Sequence, residues 1–237
     1  DSWSRSADIM KNVSYIPGEI AFPALKTGTE FLKSQAKYLG VTDFKYMNHV
    51  IELLQLDPTA NLKRMSKGMK QKTAIVAALM GEKETLVLDE PTTGLDPLMR
   101  EAFLELIREE KQKGHTVFMS THIFEEIESV CDRVAMIKDG HIIATSSLYD
   151  LRHPTIKNFI IEFEEMWQKQ QFIEKIRFKT ESTESNTCAV QCSVDELDIL
   201  FNVLKDYSVT NLREIHLSLQ QQFMRAYKEG LNQNGNK

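Results

Sequence analysis

The sequence predicts an α/β protein: a parallel sheet flanked by helices, a helical block inserted between two of its strands, and a small α+β region behind it. Two observations carry this expectation. Thr85-Leu86-Val87-Leu88-Asp89-Glu90-Pro91 is an apolar run that ends in adjacent carboxylates and a proline. That is the pattern of a buried parallel strand delivering acids to the carboxyl edge of a sheet, where ligands bind in open α/β folds. Around it, apolar residues recur first at helical spacing and then alternate between helical and strand periods, as the α/β architecture requires.

In chain order, residues 12–16 form a short strand candidate closed by Pro17-Gly18. From Thr27 the pattern turns helical, with Phe31, Leu32, Ala36, Tyr38 and Leu39 recurring up to Gly40. Residues 44–54 repeat it through Tyr46, Met47, Val50, Ile51 and Leu54, and Asp57-Pro58 breaks it. Ser66 precedes a third helix to about Leu79, so residues 27–80 read as a mostly helical block. Then come a strand at Thr85–Asp89, an amphipathic helix over 98–113 ended by Gly114, a strand over 115–120, and a helix over 123–131 with an acidic face. Strands at Arg133–Lys138 and 141–145 flank Asp139-Gly140, a strong hairpin signal. Past His153-Pro154, strands are expected at 159–163, 175–180, 188–194 and 212–217, with helices at 195–205 and 218–227. The expected division is a first domain over 1–150, an accessory region over 155–230 and a disordered polar tail over 231–237.

Composition bounds the function. A chain of 237 residues suits one large domain, or one with a small appendage. Hydrophobic residues at 42% and charged residues at 27% are those of a soluble globular protein. The net charge of −5 offers no basic excess for phosphates, so no nucleic-acid partner is expected. No apolar stretch reaches 18 residues and no signal peptide is recognisable. The three cysteines, Cys131, Cys188 and Cys192, read as reduced thiols of a cytosolic protein, and no His or Cys completes a zinc set beside the last two.

Four segments then occur in unbroken order. Met65-Ser66-Lys67-Gly68-Met69-Lys70-Gln71-Lys72 resembles the signature motif of ABC-type ATPases, in the form seen in many bacterial export systems. The 85–91 segment resembles their Walker B strand. Gly94-Leu95-Asp96 resembles the D-loop, and Ser120-Thr121-His122 the switch-histidine segment. The resemblance runs from residue 12 to about 150. It implies a P-loop NTPase-like ABC ATPase core with an inserted helical subdomain over about 27–80 and a C-terminal α+β appendage. It also implies ATP and Mg²⁺ as cofactors.

The chemistry of each residue suits its motif. Ser66 and the Gly68 backbone stand at a helix start, where free N–H groups and the positive dipole end favour an anion. In the family that helix faces the γ-phosphate bound by the other subunit, so Ser66, Lys67, Gly68 and Met69 are assigned to the partner-site ATP. Lys67 replaces a more usual glycine and Met69 the usual glutamine. Asp89 is expected to hold Mg²⁺, directly or through water, and Glu90 to act as general base on the attacking water. Asp96 belongs to the D-loop and serves equally as a helix N-cap before Pro97. A neutral His122 imidazole would bond the γ-phosphate and polarise the water–base pair. At the position of the family's Q-loop glutamine stands Gly18. Glu19 as a Mg²⁺-contacting substitute and a plain Pro-Gly turn are both open there.

One motif does not occur. The G-x-x-x-x-G-K-[ST] loop, which cradles phosphates with backbone N–H groups, has no match, and there is no Gly-Lys dipeptide at all. The chain begins at Asp1. Together these imply an N-terminally truncated family member that lacks roughly its first sixty residues, an ordinary fraction of a domain. Without them the sheet is expected to expose unpaired edges.

The resemblance therefore implies the ATP-binding and ATP-hydrolysing subunit of a bacterial ABC transporter, powering export. Its partners would be a second ATPase subunit, in a homo- or heterodimer, and a separate transmembrane permease. It would sit in the cytoplasm, peripheral on the inner face of the plasma membrane, with membrane contact only through the permease. Two alternatives stand beside it: a truncated, non-hydrolysing regulatory or decayed paralogue, and a soluble ABC ATPase of translation or repair.

Overall fold

A computed structural model describes residues 4–182, 185–215, 218 and 220–221. The chain divides into two compact units, one up to Val130 and one from Cys131 onward. The division falls before the Asp139-Gly140 hairpin, so that hairpin lies in the second unit.

The first unit opens with a short helix, α1 (Ser6–Ile9), and then β1 (Val13–Ile16). Three helices follow before the next strand: α2 (Gly28–Leu39), α3 (Lys45–Leu53) and α4 (Lys67–Leu79). The starts of α2 and α4 have a local cause. The Thr27 hydroxyl accepts from the Glu30 N–H, and Ser66 accepts from Met69 N–H at 3.2 Å. Gly40, at φ +72°, ends α2 with a left-handed cap that a side chain would strain. β2 (Thr85–Asp89), α5 (Pro97–Gln112), β3 (Thr116–Ser120) and α6 (Phe124–Val130) complete the unit.

The three strands form one parallel sheet in the order β1-β2-β3. Ile16 lies beside Leu88, and Asp89 beside Ser120. The core sits on one face, where Ile16, Leu86 and Leu88 are buried together with Ile75, Val76 and Leu79 of α4 and Phe103, Leu106 and Ile107 of α5. The Ser14 hydroxyl donates to Ala78 O at 2.7 Å and ties β1 to α4. The other face carries a cross-strand row, Tyr15, Val87 and Phe118, of which Tyr15 and Phe118 are exposed. β1 and β3 have no further strand neighbour among the described residues.

A buried polar cluster joins the helical block to α5. Glu110 is fully buried and accepts from Tyr46 Oη at 2.5 Å and Lys113 Nζ at 2.9 Å, with His115 Nδ1 at 2.7 Å. Lys113 Nζ also lies 3.4 Å above the Tyr46 ring.

The second unit begins with β4 (Arg133–Lys138) and β5 (His141–Ser147), an antiparallel hairpin. Its turn residues Asp139 and Gly140 both have positive φ, +48° and +76°, as a type I′ turn demands. After α7 (Leu148–Arg152) come β6 (Ile156–Phe163), α8 (Met166–Lys175), β7 (Lys179–Ser182), β8 (Thr187–Ser193), α9 (Leu197–Leu204) and β9 (Val209–Glu214). The sheet order β7-β8-β6-β9, antiparallel throughout, is the split β-α-β topology. Its core gathers Phe159, Ile161, Phe163, Phe172, Cys188, Val190, Cys192 and Leu200.

Several expectations need correction. The strand expected at 175–180 starts late, because α8 runs through Lys175. The strand expected at 212–217 runs instead over Val209–Glu214. Helices α1, α7 and α8 were not foreseen. The helix expected at 218–227 and the tail at 231–237 lie outside the described residues, apart from Ser218, Gln220 and Gln221.

Candidate functional site

Parallel strands end together, so the loops after β1, β2 and β3 meet at one edge of the first unit's sheet. Asp89 is the last residue of β2, and its carboxylate is exposed there. Ser120, its register partner on β3, donates to Asp89 Oδ1 at 2.5 Å. The same hydroxyl accepts from Glu90 N–H at 2.9 Å. It thereby holds a strained backbone, since Glu90 has φ +42°, a region that residues with a Cβ seldom enter.

That turn aims the Glu90 side chain across the edge. Thr93 Oγ1 donates to its Oε2 at 3.0 Å, while Oε1 lies 3.4 Å from His122 Nδ1. The two residues that the motifs single out are thus brought together, 32 positions apart in sequence. Both are open to solvent, His122 at 71% and Glu90 at 46% side-chain exposure, so a ligand can reach them.

Gly18 is placed beside Asp89. A Cβ on Gly18 would stand 3.0 Å from Asp89 Oδ2. The missing side chain leaves a cradle next to the one Asp89 oxygen that Ser120 does not engage. A small hard cation fits there, because Mg²⁺ takes one or two carboxylates and completes its shell with water and substrate phosphates. No group of three or more His, Cys, Asp or Glu side chains able to hold a metal occurs among the described residues. Glu19 is exposed and has no hydrogen-bond or ion-pair partner among the described residues. The geometry thus brings Gly18 to Asp89.

Ser66 and Lys67 are exposed at the start of α4. Gly68 packs on the loop that follows β2, for a Cβ there would be 2.7 Å from Gly94 O. Gly94, at φ +86°, in turn lies against the Lys67 side chain. Met69 is half-buried and supplies the N–H that Ser66 caps. Asp96 caps α5, its Oδ1 accepting from Met99 N–H at 3.0 Å, with Pro97 as the first helical residue. The start of α4 and the loop after β2 therefore form one piece.

Three residues that the sequence reading did not single out support these loops. Ser120 is one. Gln71 is buried on α4 and donates from Nε2 to Pro91 O at 2.7 Å. Its place within the 65–72 motif was the available signal. Glu126 is the third, and here the expectation of an acidic face on α6 needs correcting: Glu126 is buried, while Glu125 and Glu128 are not.

Several known proteins are similar to parts of this chain. A family model described as "AAA domain, putative AbiEii toxin, Type IV TA system" matches residues 23–128. The linearmycin resistance ATP-binding protein of Bacillus subtilis is 34% identical over 152 residues, covering 62% of this chain and 49% of that protein. An uncharacterized ABC transporter ATP-binding protein of Nostoc sp. is 33% identical over 150 residues, 60% of this chain and 45% of that one. The chain is thus similar to ATP-binding proteins of ABC transporters. The Nod factor export ATP-binding protein I of Rhizobium etli is another relative, 34% identical over 57% of this chain and 45% of its own length. Among solved structures, the ATP-binding subunit of an ABC transporter superposes with a TM-score of 0.57 at 31% identity, covering 64% of this chain and 65% of the other. A dimeric ATP-binding cassette bound to ADP and Pi superposes at 0.53 with 19% identity, a likeness of fold. These likenesses give the chain a P-loop NTPase-like fold. It spans about half the length of the curated relatives it matches.

Proposed function

We propose that this chain is part of the ATP-binding and ATP-hydrolysing subunit of an ABC transporter that drives export through a separate membrane permease. The observation that carries the reading is the pairing of Glu90 with His122 beside an exposed Asp89 at one sheet edge. One relative's name, Nod factor export, supports the direction of transport.

In this reading Asp89, whose Oδ2 is left open beside Gly18, would hold Mg²⁺. The metal would neutralise phosphate charge as the γ-phosphoryl group transfers. Glu90 Oε1 accepts the proton of the attacking water, while Thr93 fixes Oε2. His122 steadies that pair from 3.4 Å. Ser66, with the Lys67, Gly68 and Met69 backbone, presents a helix N-terminus to the triphosphate held by a second ATPase subunit. Asp96 lies in the loop between the two nucleotide sites. The main phosphate grip must come from outside these 237 residues, since they contain no G-x-x-x-x-G-K-[ST] loop. The working location is the cytoplasmic face of the membrane, reached through the permease; no helix among the described residues is long and apolar enough to cross a membrane. The 1–150 region would be the ATPase part and the split β-α-β region an accessory one.

The test uses this chain joined in frame to the coding sequence upstream of Asp1. ATP turnover that falls at least about a hundredfold in Glu90→Gln, with ATP-dependent dimers accumulating, supports the reading. Unchanged turnover removes Glu90 from the role of base. A second reading, a docking protein without turnover, is favoured by the lack of a phosphate loop in these residues. It is upheld if no in-frame phosphate loop is found and the chain still binds its permease.

A further inference from the structure

The loops that carry Glu90 and His122 are joined behind the sheet edge by one carboxylate. Glu126, on α6, is fully buried. Its Oε1 accepts from Thr92 Oγ1 at 2.7 Å, and its Oε2 from Thr121 Oγ1 at 2.7 Å. Thr92 follows Glu90 by two residues, and Thr121 immediately precedes His122. Thr121 Oγ1 also accepts from Ile123 N–H at 3.1 Å, so the same hydroxyl sets the turn on which His122 stands. Arg100 of α5 faces the carboxylate, with Nε 3.5 Å from Oε1 but making no hydrogen bond.

We propose that Glu126 is a positioning residue that sets the distance between Glu90 and His122. The inference rests on the reading that these two residues act together on the nucleotide. A carboxylate suits the task because it accepts at two oxygens of fixed separation. An amide side chain offers one acceptor and one donor and cannot hold both hydroxyls in the same sense. Packing alone does not call for a charge at this position. Ile127 and Val130 bury apolar side chains on the same helix, and a buried charge replaced by a fitting apolar group is often neutral or stabilising. What the charge supplies is a rigid link between two loops that no backbone hydrogen bond joins directly.

The test reads His122 directly, without ATP. The 237-residue chain is labelled with ¹⁵N-histidine, and the His122 ring resonances are assigned by loss in His122→Ala. Thr121→Val removes isosterically both the bond to Glu126 and the one from Ile123 N–H, Thr121→Ser keeps both, and Glu126→Gln breaks the carboxylate pair while leaving the Ile123 bond in place. The expected result is that the His122 ring nitrogens shift away from their wild-type positions in Thr121→Val and Glu126→Gln, as the contact with Glu90 is lost. They return in Thr121→Ser, while His141 and His153 of the second unit stay in place. Unmoved His122 resonances in a folded Thr121→Val overturn the proposal, whether or not Glu126→Gln folds. In the extended protein that turns over ATP, Thr121→Val lowers kcat roughly ten- to a hundredfold with KM unchanged, the usual cost of misplacing a reacting group. If the extended wild type turns over no ATP, the functional reading falls, and the ring resonances still decide on the link.

Discussion

Removing the Glu110 carboxylate should cost the first unit a large share of its stability. Three groups converge on it from separate elements: Tyr46 of α3, Lys113 just past α5, and His115 just before β3. Glu110 itself has no exposed surface. Glu110→Ala would strand a phenol, an ammonium and an imidazole in a part-buried site. Breaking a buried pair in this way costs about 3–5 kcal/mol. For a unit of this size that is a fall in Tm on the order of 10–15 °C. Tyr46→Phe keeps the ring beneath Lys113 and loses only the hydroxyl bond to a charged group, about 1.5–3 kcal/mol. The network also has a pH signature. Burial pushes the Glu110 carboxyl up, but hydrogen bonds from Tyr46, Lys113 and His115 and the Lys113 charge outweigh it and hold it below the ordinary 4.5. A depressed carboxyl stabilises fully above its unfolded pKa, and the gain is lost as pH falls through the folded value. Burial, then the Glu110 bond and charge, push the Tyr46 phenol above 10, so its contribution is present below pH 10 and lost as pH rises beyond it. The assay is thermal unfolding followed by circular dichroism from pH 3 to 7, comparing wild type with Glu110→Gln. The wild type should lose stability below pH 4.5 by more than the variant does. A Glu110→Ala protein melting within about 2 °C of wild type, an effect below 1 kcal/mol, would refute the reasoning.

Three further outcomes follow from the site and its surroundings. Gly68→Ala places a Cβ 2.7 Å from Gly94 O, a backbone atom that cannot step aside cheaply, so it should lower stability in urea by about 1–3 kcal/mol. Ser120→Ala removes the bonds to Asp89 and to Glu90 N–H. Because Ser120 is exposed, its stability cost should stay near 1 kcal/mol, while ATP turnover by the extended protein falls and demands more Mg²⁺. Cys188 is pushed up to about 11 by burial, against a smaller pull from Lys169, and burial and Glu196 raise Cys192 as well. Iodoacetamide at pH 8 should therefore alkylate the half-buried Cys131 first, as mass spectrometry of the digested chain can show; equal rates at all three would contradict it.

Local chemistry made some of this legible in the sequence. The acid pair at the end of an apolar run located β2 to the residue. Asp139-Gly140 located the hairpin because both residues accept positive φ. Ser66 and Asp96 were readable as caps, and they are caps. The helix α8 was missed because only Phe172 among its apolar residues is fully buried, and Met166 and Trp167 face solvent. The split β-α-β order was beyond reach for a different reason. β6 pairs with β8 and β9, some 30 to 50 residues away, and nothing local specifies such partners.

The site divides along the same line. Residue type and order named Asp89, Glu90 and His122, since each stands at the end of a strand. What sets their geometry is spread over side chains that look ordinary in sequence. Ser120 reads as a strand-end serine, Gln71 as a polar helix residue, and Glu126 as one of three glutamates on a short helix. Only the fold shows that Glu126 points inward and grips both loops. The same holds for Gly18. As a departure from the family's glutamine it looks like a loss, but beside Asp89 Oδ2 it is the smallest residue that keeps the carboxylate open. A side chain there would have to turn away from the acid or take its place in the cation's shell. A Mg²⁺ ion at Asp89, as proposed above, would find that place left to water or phosphate, which is how Mg²⁺ prefers to be held.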